Sequence, residues 1–168
     1  MIQIQPEEIT GSVFERIGKQ WMLLTAGDAR GQFNTMTASW GGFGVMWGKP
    51  VAFCVVRPQR YTFGFMEAAE RYTLSFYPET CRDALNLCGA RSGRDTDKPA
   101  AAGLTPARLD SGAWTFEQAE ITVECKKLYA DMLKEGAFTG SAEIGQFYPN
   151  QDFHKLYIGS VEAVYKGH

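Results

Sequence analysis

Short apolar runs in this sequence, some alternating with polar residues and some continuous, are broken by turns and read as at least six strands with only short helices between them. WMLLTAG (21–27) reads as a strand, GDARGQ (27–32) as a Gly- and Asp-rich turn, and FNTMTASW (33–40) as the hairpin partner. PVAFCVV (50–56) is a continuous apolar run, as expected of a strand covered on both faces. YTLSF (72–76) alternates apolar and hydroxyl side chains, which predicts a strand with one wet or ligand-facing side. WTFEQAEITVECKKLYA (114–130) and FHKLYIGSVEAVYK (153–166) are predicted to contain two further long strands. Between them, helices are expected only near 60–69, over 79–89 with Gly89 as C-cap, and over 97–103 closed by Gly103. Strands joined by such short helices argue for a small β-barrel with helical decoration, not a doubly wound parallel sheet.

A chain of 168 residues suits one domain, 1–168, and no repeat or biased linker divides it. The formal net charge is -2 and no Lys/Arg run exceeds two residues, so a nucleic-acid partner is not expected. No apolar stretch approaches the roughly 18 residues needed to cross a bilayer. MIQIQPEEIT lacks a basic segment followed by an apolar core, so a cytoplasmic location is expected. Cys54, Cys81, Cys88 and Cys125 are widely separated, which does not suit a metal or redox motif; Cys54 and Cys125 should be buried. No GxGxxG or GxxxxGK[ST] joins a strand to a helix.

Four segments have a character that packing does not explain. NTMTASWGGFG (34–44) is small, hydroxylated and glycine-rich; it can donate to ligand oxygens and admit a planar ligand close to the backbone, or it can be a polar edge strand with a flexible loop. VVRPQRYT (55–62) ends a strand in Arg57 and opens a helix after Arg60, a phosphate-binding arrangement or an ordinary capped helix with solvated arginines. LCGARSGRDTDK (87–98) offers Gly89, Ser92 and Gly93 as a backbone cradle, with charge from Arg91, Arg94 and Lys98, or is a solvated charged loop. DFHKLYIG (152–159) places His154 at the start of a strand, as a site residue or a structural one.

In this order and spacing, NTMTASWGGFG, RPQRYT, NLCGARSGRDTDK and His154-x4-Gly159 resemble the flavin reductase-like, FMN-binding split-barrel family, above all its flavoredoxin-type branch. The resemblance spans about residues 15 to 165 and implies a mainly β, antiparallel Greek-key split β-barrel with short peripheral helices. It implies FMN as cofactor, with Thr37, Ala38, Ser39 and Trp40 facing the flavin and Asn34 and Thr35 close by. Arg57, Arg60 and Thr62 would meet the 5′-phosphate, while Gly89, Ser92, Gly93 and Lys98 complete the phosphate and ring-edge contacts. His154 matches a histidine near the flavin in related reductases, and no metal is implied. The chain departs from two-component reductases in having Asp152-Phe153 before that histidine, and Lys49-Pro50 where a double proline is common.

The implied activity is an oxidoreductase moving electrons from NAD(P)H or a redox protein through FMN to an acceptor. Hydride transfer between stacked rings about 3–3.5 Å apart needs no acid–base pair, so the lack of a Ser-His-Asp set is expected. The family also implies a homodimer with flavin at the interface. The alternatives are a non-enzymatic FMN carrier or storage protein and a barrel binding another planar ligand such as haem. Phe147 and Tyr148, in the 131–150 loop, are expected either to cover the ring or to anchor the loop.

Overall fold

The computed structural model describes residues 1–28 and 30–167. The first hairpin forms as expected, from β2 (Met22–Gly27) and β3 (Phe33–Ala38), with Met22 paired to Ala38 and Ala26 to Asn34. β1 (Ile2–Ile4), β4 (Gly41–Met46), β5 (Lys49–Val56), β6 (Arg71–Phe76), β9 (Ile121–Met132) and β10 (Lys155–Lys166) complete an antiparallel sheet. Its order is β3-β2-β6-β9-β10-β5-β4, with β1 added to β10. The two ends of that path, β3 and β4, are consecutive in the chain and joined only by Ser39 and Trp40. The sheet curls around one core to which β2, β3, β5, β6, β9 and β10 contribute Met22, Leu24, Met36, Val56, Leu74, Val123 and Tyr157, among others. Burying each such side chain contributes about 1.5–3 kcal/mol. This is a split barrel, as the sequence pattern and resemblance imply.

Alternation decides which side of β2 and β3 meets which layer. Met22, Leu24 and Ala26 enter the barrel core, while Leu23 joins a second cluster with Leu85 and Cys88 of α3 (Arg82–Ala90). The helix α3 therefore lies across the outside of the β2–β3 hairpin. α2 (Tyr61–Ala68) follows the turn after β5, and α4 (Lys98–Ala102) is capped by Asp97 and closed by Gly103 at φ 66°.

Several expectations are corrected. YTLSF has the predicted alternation, but its hydroxyl side is dry: Thr73 donates to Trp114 O at 2.6 Å, and Ser75 lies 3.0 Å from the Thr115 hydroxyl. A small hairpin, β7 (Pro106–Arg108) with β8 (Trp114–Phe116), covers it. The run 114–130 is thus two strands, β8 and β9. Gly89 does not cap α3, which continues through Ala90. β5 is not covered on both faces, since Phe53 is exposed.

The glycines after Trp40 form β4, not a flexible loop. Its hairpin to β5 closes through Trp47 (φ 54°) and Gly48 (φ 69°), between the paired residues Met46 and Lys49. Two positive φ values in a two-residue loop match the twist of a β-hairpin, and a tryptophan in that conformation is strained.

Candidate functional site

β3 runs between two groups of polar side chains. At its start Asn34 is buried, and its Nδ2 donates to Thr62 Oγ1 at 2.7 Å. Thr62, in the first turn of α2, is itself buried. Over this floor passes the 91–97 loop. A Cβ at Gly93 would stand 2.0 Å from Asn34 Oδ1 and 3.0 Å from the Tyr61 ring, so only glycine allows the close approach. Ser92 folds the loop on itself, its Oγ accepting from the Arg94 N–H at 3.2 Å and its carbonyl from the Thr96 N–H at 3.1 Å.

Lys98 is 3% exposed, and its Nζ donates to Thr35 O at 2.8 Å and Cys88 O at 2.9 Å. The residue thereby ties α4 to both β3 and α3. Burial lowers its pKa to about 8; the nearby Cys88 acts in the opposite direction, and Arg60 adds to the lowering. Arg60 is half-buried, and burial lowers its pKa too. Among the described residues no carboxylate lies within ion-pair distance of Arg60, and its guanidinium makes no hydrogen bond. Two neighbouring cations, one buried and one half-buried, with no ion-pair partner among the described residues form a site that favours an anion. Phe33, Asn34, Tyr61, Gly93, Asp97 and Lys98 line a groove of about 390 Å³ here, and Arg60 lines the adjoining one.

The far end of β3 is aromatic. Thr37, Ala38, Ser39, Trp40, Arg57 and His154 line a second groove of about 270 Å³. The Trp40 ring lies 4.9 Å from His154 and meets Phe147 edge-on at 5.1 Å. Phe147 closes α5 (Ala142–Phe147), a helix within the 131–150 segment that the sequence pattern did not announce. Behind it Tyr148 stacks on Phe153 at 4.7 Å, and its hydroxyl lies 2.9 Å from His154 Nδ1. Burial, then the Arg57 charge, push His154 down to about 4, so the imidazole is neutral at physiological pH. Arg57 is committed to this cap: it pairs with Asp152, donates to Phe147 O at 2.8 Å and stands 5.5 Å over Tyr148. Gln59 Nε2 also donates to Asp152, at 2.8 Å.

The structure thus brings the residues singled out in the sequence together, but in a different grouping. Asn34, Arg60, Thr62, Ser92, Gly93 and Lys98 gather at one end. Ala38, Ser39, Trp40 and His154 gather at the other, joined by Arg57, which the sequence reading had placed beside Arg60 and Thr62. The two arginines of one RPQR turn point to opposite ends. Thr37, expected to face the flavin, and Thr35, expected close by, spend their hydroxyls on structure: Thr35 Oγ1 lies 2.9 Å from Thr25 Oγ1, and Thr37 Oγ1 donates to Leu85 O in α3.

Gly89 sits on that same seam, where a Cβ would meet Thr37 at 3.4 Å. Gly159, the end of the His-x4-Gly spacing, is fixed by packing, because a Cβ there would approach the Tyr72 hydroxyl to 2.8 Å. Arg94 turns away from the anion groove and lies 4.9 Å over the Tyr61 ring. Cys88 is buried, with its thiol raised to about 11, and the other three cysteines are also unpaired. Asp152 and Tyr148 are the functional candidates that sequence reasoning did not pair with Arg57 and His154, since nothing in their spacing signals the contact. Among the described residues no cluster suited to a metal is present.

The sheet is rolled and antiparallel, its path ends β3 and β4 meet at Ser39 and Trp40, and polar clusters lie along β3: a split barrel with a two-ended groove. The chain belongs to the flavin reductase like domain family, whose model matches residues 14–168. Among solved structures it is similar to an FMN-binding protein from Thermus thermophilus, crystallised with 1-cyclohex-2-enone (22% identity, 99% of this chain and 80% of that one, TM-score 0.68). It is also similar to the flavoredoxin of Desulfovibrio vulgaris (Miyazaki F) (19% identity, 95% and 78%, TM-score 0.69). A third is nitrilotriacetate monooxygenase component B from Bacillus cereus (18%, 100% and 82%, TM-score 0.69). No curated protein matches the chain. Among the described residues no helix is long and apolar enough to cross a membrane.

Proposed function

We propose that this chain is an FMN-dependent oxidoreductase that takes electrons from a reduced nicotinamide or a redox protein and passes them to a small acceptor. The observation that carries this reading is Arg60: a half-buried guanidinium beside buried Lys98, with no acid to balance either among the described residues. A phosphate monoester supplies the missing charge. Arg60, from the adjoining groove, gives it donors, and the first-turn N–H groups of α2 at Tyr61 and Thr62 add more. The residues present therefore fit the anionic tail of FMN, and the strand between the two grooves carries the rest. At a rise of roughly 3.3 Å per residue, Asn34 and Ala38 lie about 13 Å apart, room for a ribityl chain and a ring system.

Bound FMN supplies hydride and single-electron chemistry; the chain's residues bind, orient and exclude water. Trp40 and Phe147 wall the aromatic groove. The Tyr148 hydroxyl lies 2.9 Å from Nδ1; in the tautomer in which it donates there, the neutral His154 carries its proton on Nε2 and offers it as a donor without adding charge. We assign the active form as a homodimer with the flavin at the interface. Its support is the exposed apolar surface of the β4–β5 hairpin, Val45, Met46, Trp47 and Phe53, continued across the sheet by Ile158 and Tyr129, which pair in register with Phe53 and one another.

The test is a visible spectrum after incubation with FMN and gel filtration, followed by NADH and NADPH oxidation by the loaded protein. Retained flavin absorbance with nicotinamide oxidation supports the reading. Retained flavin without it reduces the protein to a carrier, and a colourless protein overturns the reading.

A further inference from the structure

Tyr148 is 4% exposed, and rings and charge hold it in place. It stacks on Phe153 at 4.7 Å, meets Phe138 edge-on at 5.9 Å, and has the Arg57 guanidinium 5.5 Å from its centroid. So packed, it has one polar atom to satisfy. Among the described residues the hydroxyl has one hydrogen-bond partner, His154 Nδ1 at 2.9 Å. A nearly buried hydroxyl needs an acceptor for its hydrogen. A protonated Nδ1 would be a donor and would leave that hydrogen unplaced, whereas a bare Nδ1 accepts it. The contact therefore favours a ring whose proton sits on Nε2.

The rest of His154 is held as firmly. Its carbonyl accepts from the Leu133 N–H at 2.9 Å, which ties its backbone to the end of β9. Its ring lies 4.9 Å from Trp40 and lines the groove of about 270 Å³. Burial is the largest influence on its charge, with Arg57 and Asp152 acting in opposite directions, and the ring stays neutral. Among the described residues Nε2 has no hydrogen-bond partner, so its donor is left to whatever enters the groove.

We propose that Tyr148 is a positioning residue: its hydroxyl pins His154 as the Nε2–H tautomer, and the groove thereby recognises a planar molecule through an uncharged hydrogen-bond acceptor, a carbonyl oxygen or a ring nitrogen. The recognition half rests on the FMN reading above; the pinning of His154 by Tyr148 does not. The acceptor has two sources, the flavin ring itself or a carbonyl-bearing second substrate.

The experiment is heteronuclear NMR of protein carrying isotope-labelled histidine, in the unaltered chain and in Tyr148→Phe, which keeps the packed ring and removes only the hydroxyl. The chain's other histidine is His168, and a His168→Asn variant assigns the signals. The flavin-free unaltered chain should show Nε2 protonated, Nδ1 bare and a ring titrating at about 4. In Tyr148→Phe the Nδ1 resonance should move, and the ring should titrate closer to about 6.5, the ordinary histidine value. A proton on Nδ1 in the unaltered chain, or a variant whose Nδ1 resonance matches the unaltered one, overturns the proposal. FMN is then added, followed by acetophenone. An Nε2–H resonance driven downfield by FMN assigns the contact to the flavin, and one driven downfield only by the ketone assigns it to a second substrate. In protein that has retained its flavin, a resonance moved by neither overturns recognition through His154. Loss of the flavin on gel filtration contradicts the FMN reading instead, and the tautomer measurement stands apart from it.

Discussion

The two ends of β3 are built differently. At the Asn34 end the polar groups are fastened by buried contacts to regular structure: Asn34 to Thr62 of α2, Lys98 to the carbonyls of Thr35 and Cys88, Gly93 against Asn34. At the Trp40 end they are fastened to a cap, the 138–153 segment, through Arg57, Phe147, Tyr148 and Asp152. Among the described residues, only the first end keeps a half-buried cation with no ion-pair partner. The proposed function thus sets the phosphate against the braced end and the ring in the aromatic groove beneath the cap.

The contrast breaks first at Lys98. Lys98→Met leaves the Cys88 carbonyl without its donor and the Thr35 carbonyl with only the Asn34 Nδ2 contact at 3.3 Å, and at about 1–3 kcal/mol for an unmet acceptor the unfolding free energy in urea should fall by roughly 2–3 kcal/mol. A loss under about 1 kcal/mol would mean that the socket is not braced by this residue. Gly93→Ala comes next: the added Cβ has to displace Asn34 or the loop, costing about 1–3 kcal/mol, and FMN affinity should drop with it.

Acid separates the ends by pH. The His154 pKa is depressed in the folded state, so the unfolded chain takes the proton more readily, and the stabilisation present above about pH 6.5 is lost as pH falls toward about 4. Tyr148→Phe should reduce that slope, as read from urea midpoints across pH 4 to pH 7 (approximate limits).

Base acts at the other end. Lys98, at about 8, must take up a proton to meet an anion at higher pH, so FMN affinity should decline above about pH 8 and hold steady below it. A pH-independent dissociation constant would remove Lys98 from the electrostatics of the socket. The smallest effect belongs to the cap. Asp152→Asn weakens a partly exposed ion pair and should cost under about 1 kcal/mol, while raising the exchange rate of amides in 142–152.

Much of this was legible in the residues. Period-two runs announced β3, β6 and β10 because their alternation follows from the pleat itself, and short apolar runs ended by turn residues announced β2 and β5. β4 was not, since GGFGVM has the composition of a loop and becomes a strand only by pairing with β5 through the Trp47–Gly48 turn. The same limit explains the site. Types of residue marked 34–40, 57–62 and 89–98 as unusual, but which arginine serves which end depends on how the RPQR turn is rolled. The hydroxyls of Thr35 and Thr37 illustrate it: strand spacing put them on one face, and only the position of α3 shows that this face is a packing seam.

The central claim is that Arg60 and its neighbours hold a phosphate. Parallel titration of the flavin-free protein with FMN and riboflavin, in the unaltered chain and in Arg60→Ala, tests it most directly. The account predicts FMN binding at least about tenfold tighter than riboflavin, and an Arg60→Ala variant in which that preference largely disappears. Equal affinity for the two flavins in the unaltered chain, or a preference for FMN that survives the substitution, would contradict it.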